Sequence, residues 1–242
     1  TRIIGGQNAR VGQFPFAAAI YVQTNTSTFF CGGALLDHKW IITSAHCVYN
    51  AVLFTIQIGS NTLTDEDPER QTFATSQYIL YPFFNPDTTE NDVALIKLRN
   101  SVSYNSYIQP INVPVINLLN ETSVTALGWG QISDCQYYAY NFHDPELSNN
   151  LKYISASVLS NAECKVFYGN QITDNMACVV GNYNEGTCTG DNGSPLVEYL
   201  SRNYWLVGIA SFISGNGCES TDPSGYTRTY PYTDWIRSMM YT

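Results

Sequence analysis

The sequence predicts an all-β protein. Eight short apolar runs, rich in valine, isoleucine, phenylalanine, tyrosine and threonine, recur between glycine, proline, asparagine and aspartate. Branched and aromatic residues bounded by turn formers are typical of antiparallel strands arranged as barrels or sandwiches. The runs are residues 16–22, 40–43, 53–58, 93–98, 124–129, 154–158, 176–180 and 205–212.

Two segments carry helical signals. Ser160 followed by Glu163 has the capping-box form, which predicts a short helix over residues 160–169. In residues 233–240 the apolar side chains recur at helical spacing, which predicts a terminal helix docked on the core. Those apolar residues are Trp235, Ile236 and Met239.

Composition narrows the compartment and the partners. The chain has 242 residues, a net charge of −9 and only 11 lysines plus arginines, so nucleic acid is not an expected partner. No apolar run approaches the ~20 residues of a membrane span, so no membrane partner is expected. Seven cysteines indicate an oxidising, extracellular compartment, and the odd number leaves at least one unpaired within the chain. Glycosylation sequons begin at Asn25, Asn120 and Asn192.

Three segments could carry chemistry. His46 lies in Thr-Ser-Ala-His-Cys after an apolar run, Asp92 opens another apolar run, and residues 188–195 read Cys-Thr-Gly-Asp-Asn-Gly-Ser-Pro. Taken singly, each also has a structural interpretation. A histidine beside a cysteine is commonly structural, an aspartate before a strand is commonly a turn residue, and a glycine-rich run is commonly a loop.

Taken in order, these segments resemble the chymotrypsin-like serine proteases. The resemblance covers essentially the whole chain, and it implies two six-stranded antiparallel β-barrels with the active site between them and a C-terminal helix. It also implies one peptidase-like domain over residues 1–242, with the two barrel halves joined around residues 99–115. The matching motifs are Ile3-Ile4-Gly5-Gly6, Cys31-Gly32-Gly33, His46, Asp92, Gly128-Trp129-Gly130, the Gly190 loop, Ser211 and Trp235-Ile236.

The resemblance assigns the catalytic positions residue by residue. His46 matches the general base, Asp92 the acid that orients it, and Ser211 the serine that supports that acid. The nucleophile position holds Asn192 instead of serine, and an amide nitrogen is a very poor nucleophile. The backbone N–H groups of Gly190 and Asn192 match the oxyanion hole. As written, the chain is therefore not expected to cleave peptides.

Ser194 offers a hydroxyl two residues beyond the nucleophile position, where relatives usually have glycine. We expect it to lie away from the oxyanion hole and from His46. A misplacement of about 1 Å is already costly to catalysis, so Ser194 is not expected to replace the missing nucleophile.

The activation site also matches. Arg2-Ile3 resembles the family's cleavage site, and in relatives the freed ammonium of the second residue inserts beside an aspartate, here Asp191. Residues 1–2 would then be a remnant of a propeptide, and the chain would be in an uncut, zymogen-like form. A chain that was simply never processed is an equally open interpretation.

The substrate pocket departs from the family's open form. The resemblance places its base at Gly186 and its walls at Ser211, Ile213 and Ser224. The base carries no charge to select lysine or arginine. Ile213 and Ser224 stand where open-pocket relatives have glycine, so we expect a narrowed entrance.

Family spacing implies three disulfides and one remaining thiol. Cys135 is left over, in a tyrosine-rich stretch at residues 135–143. That stretch could be a docking surface and Cys135 a cross-link to a partner, or the thiol could simply be free. The implied pairs are Cys31–Cys47, Cys164–Cys178 and Cys188–Cys218.

Three functions remain open from the sequence. The favoured one is a secreted pseudoprotease that binds proteases, inhibitors or other components of an extracellular cascade. The second is the zymogen of an active chymotrypsin- or elastase-like endopeptidase that carries an engineered serine-to-asparagine change at Asn192. The third is a storage or structural protein. No cofactor is expected, and no metal site either, since the acidic residues 65–69 lack the paired glutamates of calcium-binding relatives.

Overall fold

Two antiparallel β-sheets form the fold of the described residues, which are 6–119, 123–131, 147–181 and 186–241 of the computed structural model. A two-residue strand, β1 (Gln7–Asn8), belongs to the second sheet. The strands of the first sheet are β2 (Ala17–Gln23), β3 (Thr28–Leu35), β4 (Trp40–Thr43), β5 (Leu53–Ile58), β6 (Gln71–Thr75), β7 (Gln77–Leu80) and β8 (Ala94–Lys97). Their order in the sheet is β6-β5-β2-β3-β4-β8-β7.

The first sheet closes into a six-stranded barrel. Only Ser76 separates β6 from β7, so the two are halves of one bent strand. One half pairs with β5 and the other with β8, which joins the two edges of the sheet. A closed barrel has no exposed strand edge.

The second sheet closes in the same way. Its strands are β9 (Ser123–Gly128), β10 (Lys152–Leu159), β11 (Met176–Val180), β12 (Pro195–Leu200), β13 (Asn203–Phe212) and β14 (Ser224–Arg228). Strand β9 pairs with both β10 and β12, which completes a ring of six strands, and β1 adds a short edge to β10. The predicted pair of six-stranded barrels is therefore confirmed.

Several strands have no apolar run to announce them. β3 carries Gly32 and Gly33, which weaken its pattern, yet both glycines are required by close packing. A Cβ at Gly33 would lie 2.9 Å from the carbonyl oxygen of Ile42, and one at Gly32 would collide with Ser194. Glycine in a strand commonly marks such a close approach.

Three short helices flank the barrels: α1 (Ala45–Val48), α2 (Asn161–Tyr168) and α3 (Thr233–Met240). The predicted capping box of α2 is confirmed, because the Ser160 hydroxyl accepts from the Glu163 N–H and the Glu163 carboxylate accepts from the Ser160 N–H. The predicted terminal helix is α3. Its Ile236 is fully buried, and Trp235 and Met239 pack partly buried against the same core.

The hydrophobic core has one large cluster that links the barrels to α3. It fills the first barrel and continues through Val197, Leu206 and Ile209 of the second barrel to Ile236. A second cluster fills the other barrel. Residues 99–119 connect β8 to β9 without a helix or a strand of their own.

All three expected disulfides are present, joining Cys31 to Cys47, Cys164 to Cys178, and Cys188 to Cys218. The third holds the loop before β12 to the loop before β14. None of the helices in the described ranges is long and apolar enough to cross a membrane.

We expect Ser160→Ala to lower the free energy of unfolding by about 1 kcal/mol, because it removes the acceptor for the first turn of α2. Urea unfolding followed by circular dichroism measures this. Ser101→Ala is the control, since Ser101 is exposed and lies outside helices and strands. An equal change in both variants would contradict the role of the cap.

Candidate active site

His46 and Asp92 form a tightly bonded pair between the barrels. The one-turn helix α1 follows β4 and carries His46, and Asp92 lies just before β8, which pairs with β4. The His46 Nδ1 lies 2.7 Å from Asp92 Oδ2, and the His46 backbone N–H donates to Asp92 Oδ1 at 2.8 Å. Asp92 is fully buried, whereas the His46 side chain is 28% exposed.

Asp92 is held from the second barrel as well. The Ser211 hydroxyl donates to Asp92 Oδ2 at 2.6 Å, and the Thr227 hydroxyl donates to the Asp92 carbonyl at 3.0 Å. The structure therefore brings His46, Asp92 and Ser211 together in the arrangement that the resemblance implies.

Asn91 is a supporting residue that the sequence reasoning missed. It adopts a positive φ of 57°, a conformation that asparagine tolerates better than most residues. Its Oδ1 accepts from the Tyr232 hydroxyl at 2.8 Å, and its Nδ2 donates to the Phe83 carbonyl at 2.8 Å. These bonds set the backbone direction just before Asp92. The Asn-Asp pair before an apolar run was the available signal.

The environment of His46 favours its charged form. Burial lowers the pKa of His46, but the hydrogen bond to Asp92 and the negative charge of Asp92 together raise it by more. The pKa of His46 therefore lies above its usual value. With Nδ1 bound to Asp92, Nε2 lies 3.9 Å from the Cys47 Sγ and has no nitrogen or oxygen partner among the described residues.

The turn over residues 190–194 lies against the segment that leads to His46. Gly193 has a φ of 79° and donates from its N–H to the Ala210 carbonyl at 2.8 Å. A Cβ there would collide with the Thr43 hydroxyl and lie 3.2 Å from the Ser44 nitrogen. The Asn192 carbonyl accepts from the Gly32 N–H at 2.8 Å. Asn192 is thus enclosed by β3, the start of α1 and β13.

The side chain of Asn192 makes no hydrogen bond with any residue in the described ranges and is half-buried. The backbone N–H groups of Gly190 and Asn192 also have no acceptor there, although their neighbours Asp191, Gly193 and Ser194 are all bonded. The two N–H groups expected to form an oxyanion hole are therefore free to bind a ligand.

Ser194 points away from this site. Its side chain lies against Gly32 and Gly128, where an added Cβ would meet its hydroxyl oxygen, and only 2% of the residue is exposed. Its buried Oγ has no hydrogen-bond partner in the part of the chain that the structure describes. A hydroxyl packed between two barrel strands cannot take the place of a nucleophile in the cleft.

Asp191 faces the opposite way, into the second barrel. Its carboxylate accepts from the Gly130 N–H at 2.7 Å and the Cys188 N–H at 2.9 Å, and no cation of the described chain contacts it. Burial raises the pKa of Asp191 to about 6, although the two N–H bonds lower it. The expected activation residues Arg2 and Ile3 lie outside the described residues.

Two of the expected pocket residues, Gly186 and Ser224, lie beside each other. A Cβ on Gly186 would lie 3.6 Å from the Ser224 hydroxyl and 3.7 Å from the Cys218 carbonyl, so the base and one wall face each other. Ile213 is half-buried just after β13. None of the three brings a charge to the pocket.

Phe212 and Asp222 are pocket neighbours that the sequence reasoning missed. The Phe212 ring lies over Gly225, where any side chain would collide with it, and it contacts the Tyr168 ring edge-on at 5.1 Å. Asp222 accepts from the Ser214 hydroxyl at 2.6 Å and the Asn216 amide at 2.7 Å, and these bonds lower its pKa.

Of the remaining predicted glycosylation and cysteine sites, Asn25 lies within the described residues. Asn25 is exposed in the turn between β2 and β3, where a glycan would meet no obstacle from the barrel. Asn120, Cys135 and residues 135–143 lie outside the described ranges. Across the part of the chain that the structure describes, no three histidine, cysteine, aspartate or glutamate side chains gather as a metal site would require.

We expect Asp92→Asn to lower the pKa of His46, because the change removes the charge that raises this pKa and leaves the opposing effect of burial. Titration of the histidine ring protons by NMR measures it, with only three histidines to assign. Asp87→Asn, a change in an exposed turn, is the control. An unchanged His46 titration in Asp92→Asn would show that the pair is not coupled.

We expect Asp191 to make the protein less stable as pH rises. The pKa of the Asp191 carboxyl is about 6 in the folded chain, against a reference value of 3.8. Between pH 3.8 and pH 6 the folded chain therefore keeps a proton that the unfolded chain has released. Its contribution is greatest below pH 3.8 and declines by up to about 3 kcal/mol as pH rises through 6.

Asp191→Asn should flatten this pH dependence in urea unfolding measured from about pH 4 to pH 7. Asp87→Asn again serves as the control. The same slope in Asp191→Asn and in the unaltered protein would exclude Asp191 as its source.

Comparison with known proteins places the chain in a family. The Trypsin family model matches residues 3–236. The chain is 36% identical over 246 residues to a collagenase of Hypoderma lineatum, covering 98% of this chain and 86% of the relative. It is 30% identical over 236 residues to brachyurin of Leptuca pugilator, covering 98% and 97%.

A solved structure agrees with these sequence matches. The structure of HL collagenase superposes with a TM-score of 0.85 at 34% identity, covering 99% of both chains. A likeness of this extent, in sequence and in fold, leaves one assignment: the chain belongs to the Trypsin family of chymotrypsin-like serine proteases.

Proposed function

We propose that this chain is a secreted pseudoprotease, which binds other secreted proteins through its cleft and does not cleave them. The observation that carries the proposal is the side chain at the nucleophile position. Asn192 offers an amide, whose nitrogen lone pair is delocalised into the carbonyl, where the reaction requires a hydroxyl that His46 can deprotonate. Loss of the nucleophile alone costs on the order of 10⁶ in turnover.

The surroundings of Asn192 support retention of binding. His46 is bonded to Asp92, and the N–H groups of Gly190 and Asn192 have no acceptor within the described residues. The nearest hydroxyl in the same turn, on Ser194, is packed between strands. A cleft that keeps its donors and loses its nucleophile can hold a peptide segment without reacting with it.

The residues of the expected substrate pocket also favour protein binding over peptide cleavage. The Ser224 hydroxyl faces Gly186, and Ile213 and Ser224 stand where open-pocket relatives have glycine, so we expect the pocket to exclude large or charged side chains of a substrate. Partners of such a cleft are secreted proteases, their inhibitors or other cascade components. Secretion is supported by the three disulfides, which persist in oxidising compartments.

A second candidate is the zymogen of an active endopeptidase in which serine was replaced by asparagine. The observation that favours it is the complete His46–Asp92–Ser211 network. Relatives that carry protease names, including trypsin I-P1 of Gallus gallus at 31% identity over 99% of this chain and 89% of the relative, also favour it.

The test compares the unaltered chain with the Asn192→Ser variant. Each is assayed before and after trypsin treatment that cleaves the Arg2–Ile3 bond. We expect no peptide hydrolysis and no fluorophosphonate labelling of the unaltered chain. We expect Asn192→Ser to stay far below an active relative, because Ile213 and Ser224 still narrow the pocket. Adding Ile213→Gly and Ser224→Gly to Asn192→Ser should then raise its activity.

Binding is measured in parallel, by calorimetry with a protein inhibitor of serine proteases that presents an exposed reactive loop. The pseudoprotease proposal expects the unaltered chain to bind it. Hydrolysis by the unaltered chain would overturn the proposal, and full activity of Asn192→Ser after cutting would favour the second candidate.

A further inference from the structure

Three cations lie close together at one end of the β4–β8 strand pair. Lys39 directly precedes β4, Lys97 is the last residue of β8, and Arg99 follows two residues later. Lys39 and Arg99 are exposed, and Lys97 is half-buried. None of the three forms an ion pair with any residue in the described ranges. In a chain with only 11 lysines and arginines and a net charge of −9, they form a local basic surface.

The strand pairing fixes the positions of these cations. Trp40 and Lys97 lie opposite each other across β4 and β8, and the Lys97 Nζ lies 4.9 Å from the centroid of the Trp40 ring, which attracts a cation. The Leu98 N–H donates to the Lys39 carbonyl at 2.8 Å, which holds the two segments together beyond the strands. Leu98 is buried, so its neighbours Lys97 and Arg99 point to the opposite side of the extended chain, toward solvent.

Two grooves with apolar walls meet at Lys97. The first runs from Lys39 to the end of α3 at Met240. The second is lined by Tyr78 of β7. Methionine side chains adapt to the shape of a ligand, and a tyrosine ring is a rigid apolar contact surface. We use the name basic groove for the surface formed by Lys39, Trp40, Tyr78, Lys97, Arg99 and Met240.

The charge of the basic groove is positive. Asp37 is the one carboxylate among the described residues that line the two grooves, and its Oδ1 accepts from the Lys39 backbone N–H at 2.7 Å. Helix α3 ends here, and the last carbonyls of a helix carry a partial negative charge. Within the described ranges, no side-chain hydrogen bond joins the three cations to these carbonyls. The cations are therefore available to a ligand.

We propose that the basic groove binds an extended acidic segment of a partner protein, in which apolar residues lie between the carboxylates. The carboxylates pair with the three cations, and the apolar side chains pack against Tyr78 and Met240. A sulfated polysaccharide would match the cations but has no side chains for the apolar walls.

The charge of the whole chain favours a short segment over a larger anionic partner. The net charge of −9 repels a long polyanion or an anionic membrane, because either one faces much of the protein surface. A short acidic segment meets only the basic groove, since charges farther away than about 8 Å are screened at physiological ionic strength.

The basic groove is separate from the cleft, so the proposal goes beyond the pseudoprotease function. Strand β4 leads from Trp40 toward His46, and β8 leads from Asp92 toward Lys97. The groove and the catalytic positions therefore lie at opposite ends of the same two strands, which are about 10 Å long. A partner can occupy the groove while the cleft stays open.

The experiment titrates the unaltered chain with a synthetic peptide in which glutamate and leucine alternate, to millimolar concentration, and follows the histidine ring protons by NMR. His38 lines the first groove, with its Nδ1 2.8 Å from the Val102 carbonyl, and only three histidines need assignment. We expect the His38 signals to shift and the His46 signals to stay unchanged. The same peptide with glutamine in place of glutamate should bind about tenfold more weakly, and high salt should weaken the acidic peptide.

Variants test the cations directly. The double variant Lys39→Gln, Lys97→Gln should weaken the acidic peptide about tenfold, because it removes two of the three partner charges. Lys165→Gln is the control, since Lys165 is exposed on α2 and the substitution changes the net charge in the same way. Thermal unfolding checks that the variants fold. If the loss of the Lys97–Trp40 contact prevents folding, Lys39→Gln with Arg99→Gln replaces the double variant, since both residues are exposed.

Equal binding of the glutamate and glutamine peptides would overturn the proposal, and so would an unchanged affinity of the double variant. A shift of His46 in place of His38 would also overturn it, because the peptide would then lie in the cleft. A shift of His38 with a heparin fragment and none with the acidic peptide would replace the protein partner with a sulfated polysaccharide.

Discussion

The buried carboxylate of Asp92 is the interaction on which the site depends. It accepts from the backbone and the ring of His46 on the first barrel and from Ser211 on the second. A carboxylate without these donors would be costly at a fully buried position, because an unpaired buried charge loses its hydration without compensation. The same bonds that make the charge tolerable also fix the position of His46 between the barrels.

Close contacts at Gly193 and Gly32 fix the turn over residues 190–194 against the segments that lead to His46. Gly193 lies against Thr43 at a φ of 79°, and Gly32 leaves room for the side chain of Ser194. These contacts hold a turn that has asparagine, and not serine, at its centre. These backbone contacts do not involve the side chain of residue 192. The turn and the cleft can therefore form with asparagine at this position.

Asp191 is also a buried carboxylate, but there burial outweighs the effect of the hydrogen bonds on the pKa. It accepts two N–H hydrogen bonds and contacts no cation among the described residues, and burial raises its pKa to about 6. In relatives the resemblance assigns a freed ammonium to this aspartate. The contribution of Asp191 to the free energy of unfolding therefore depends on pH. The charge in the cleft depends on a different group, His46.

Ordered motifs in the sequence identified the family and, through that resemblance, the three disulfide pairs that the structure contains. The same motifs assigned His46, Asp92 and Asn192 to the catalytic positions, and this assignment stays a prediction. The capping box of α2 and the apolar stripe of α3 were equally local, and both helices were predicted. β3 and β14 were missed, since glycines that their neighbours require interrupt the apolar pattern. Only the tertiary structure decided the support of Asp92 by Asn91 and Tyr232, the burial of Ser194, and the unpartnered N–H groups beside Asn192. Each of these joins segments that are distant in the chain or depends on which donors the packing leaves free, and no local pattern encodes that.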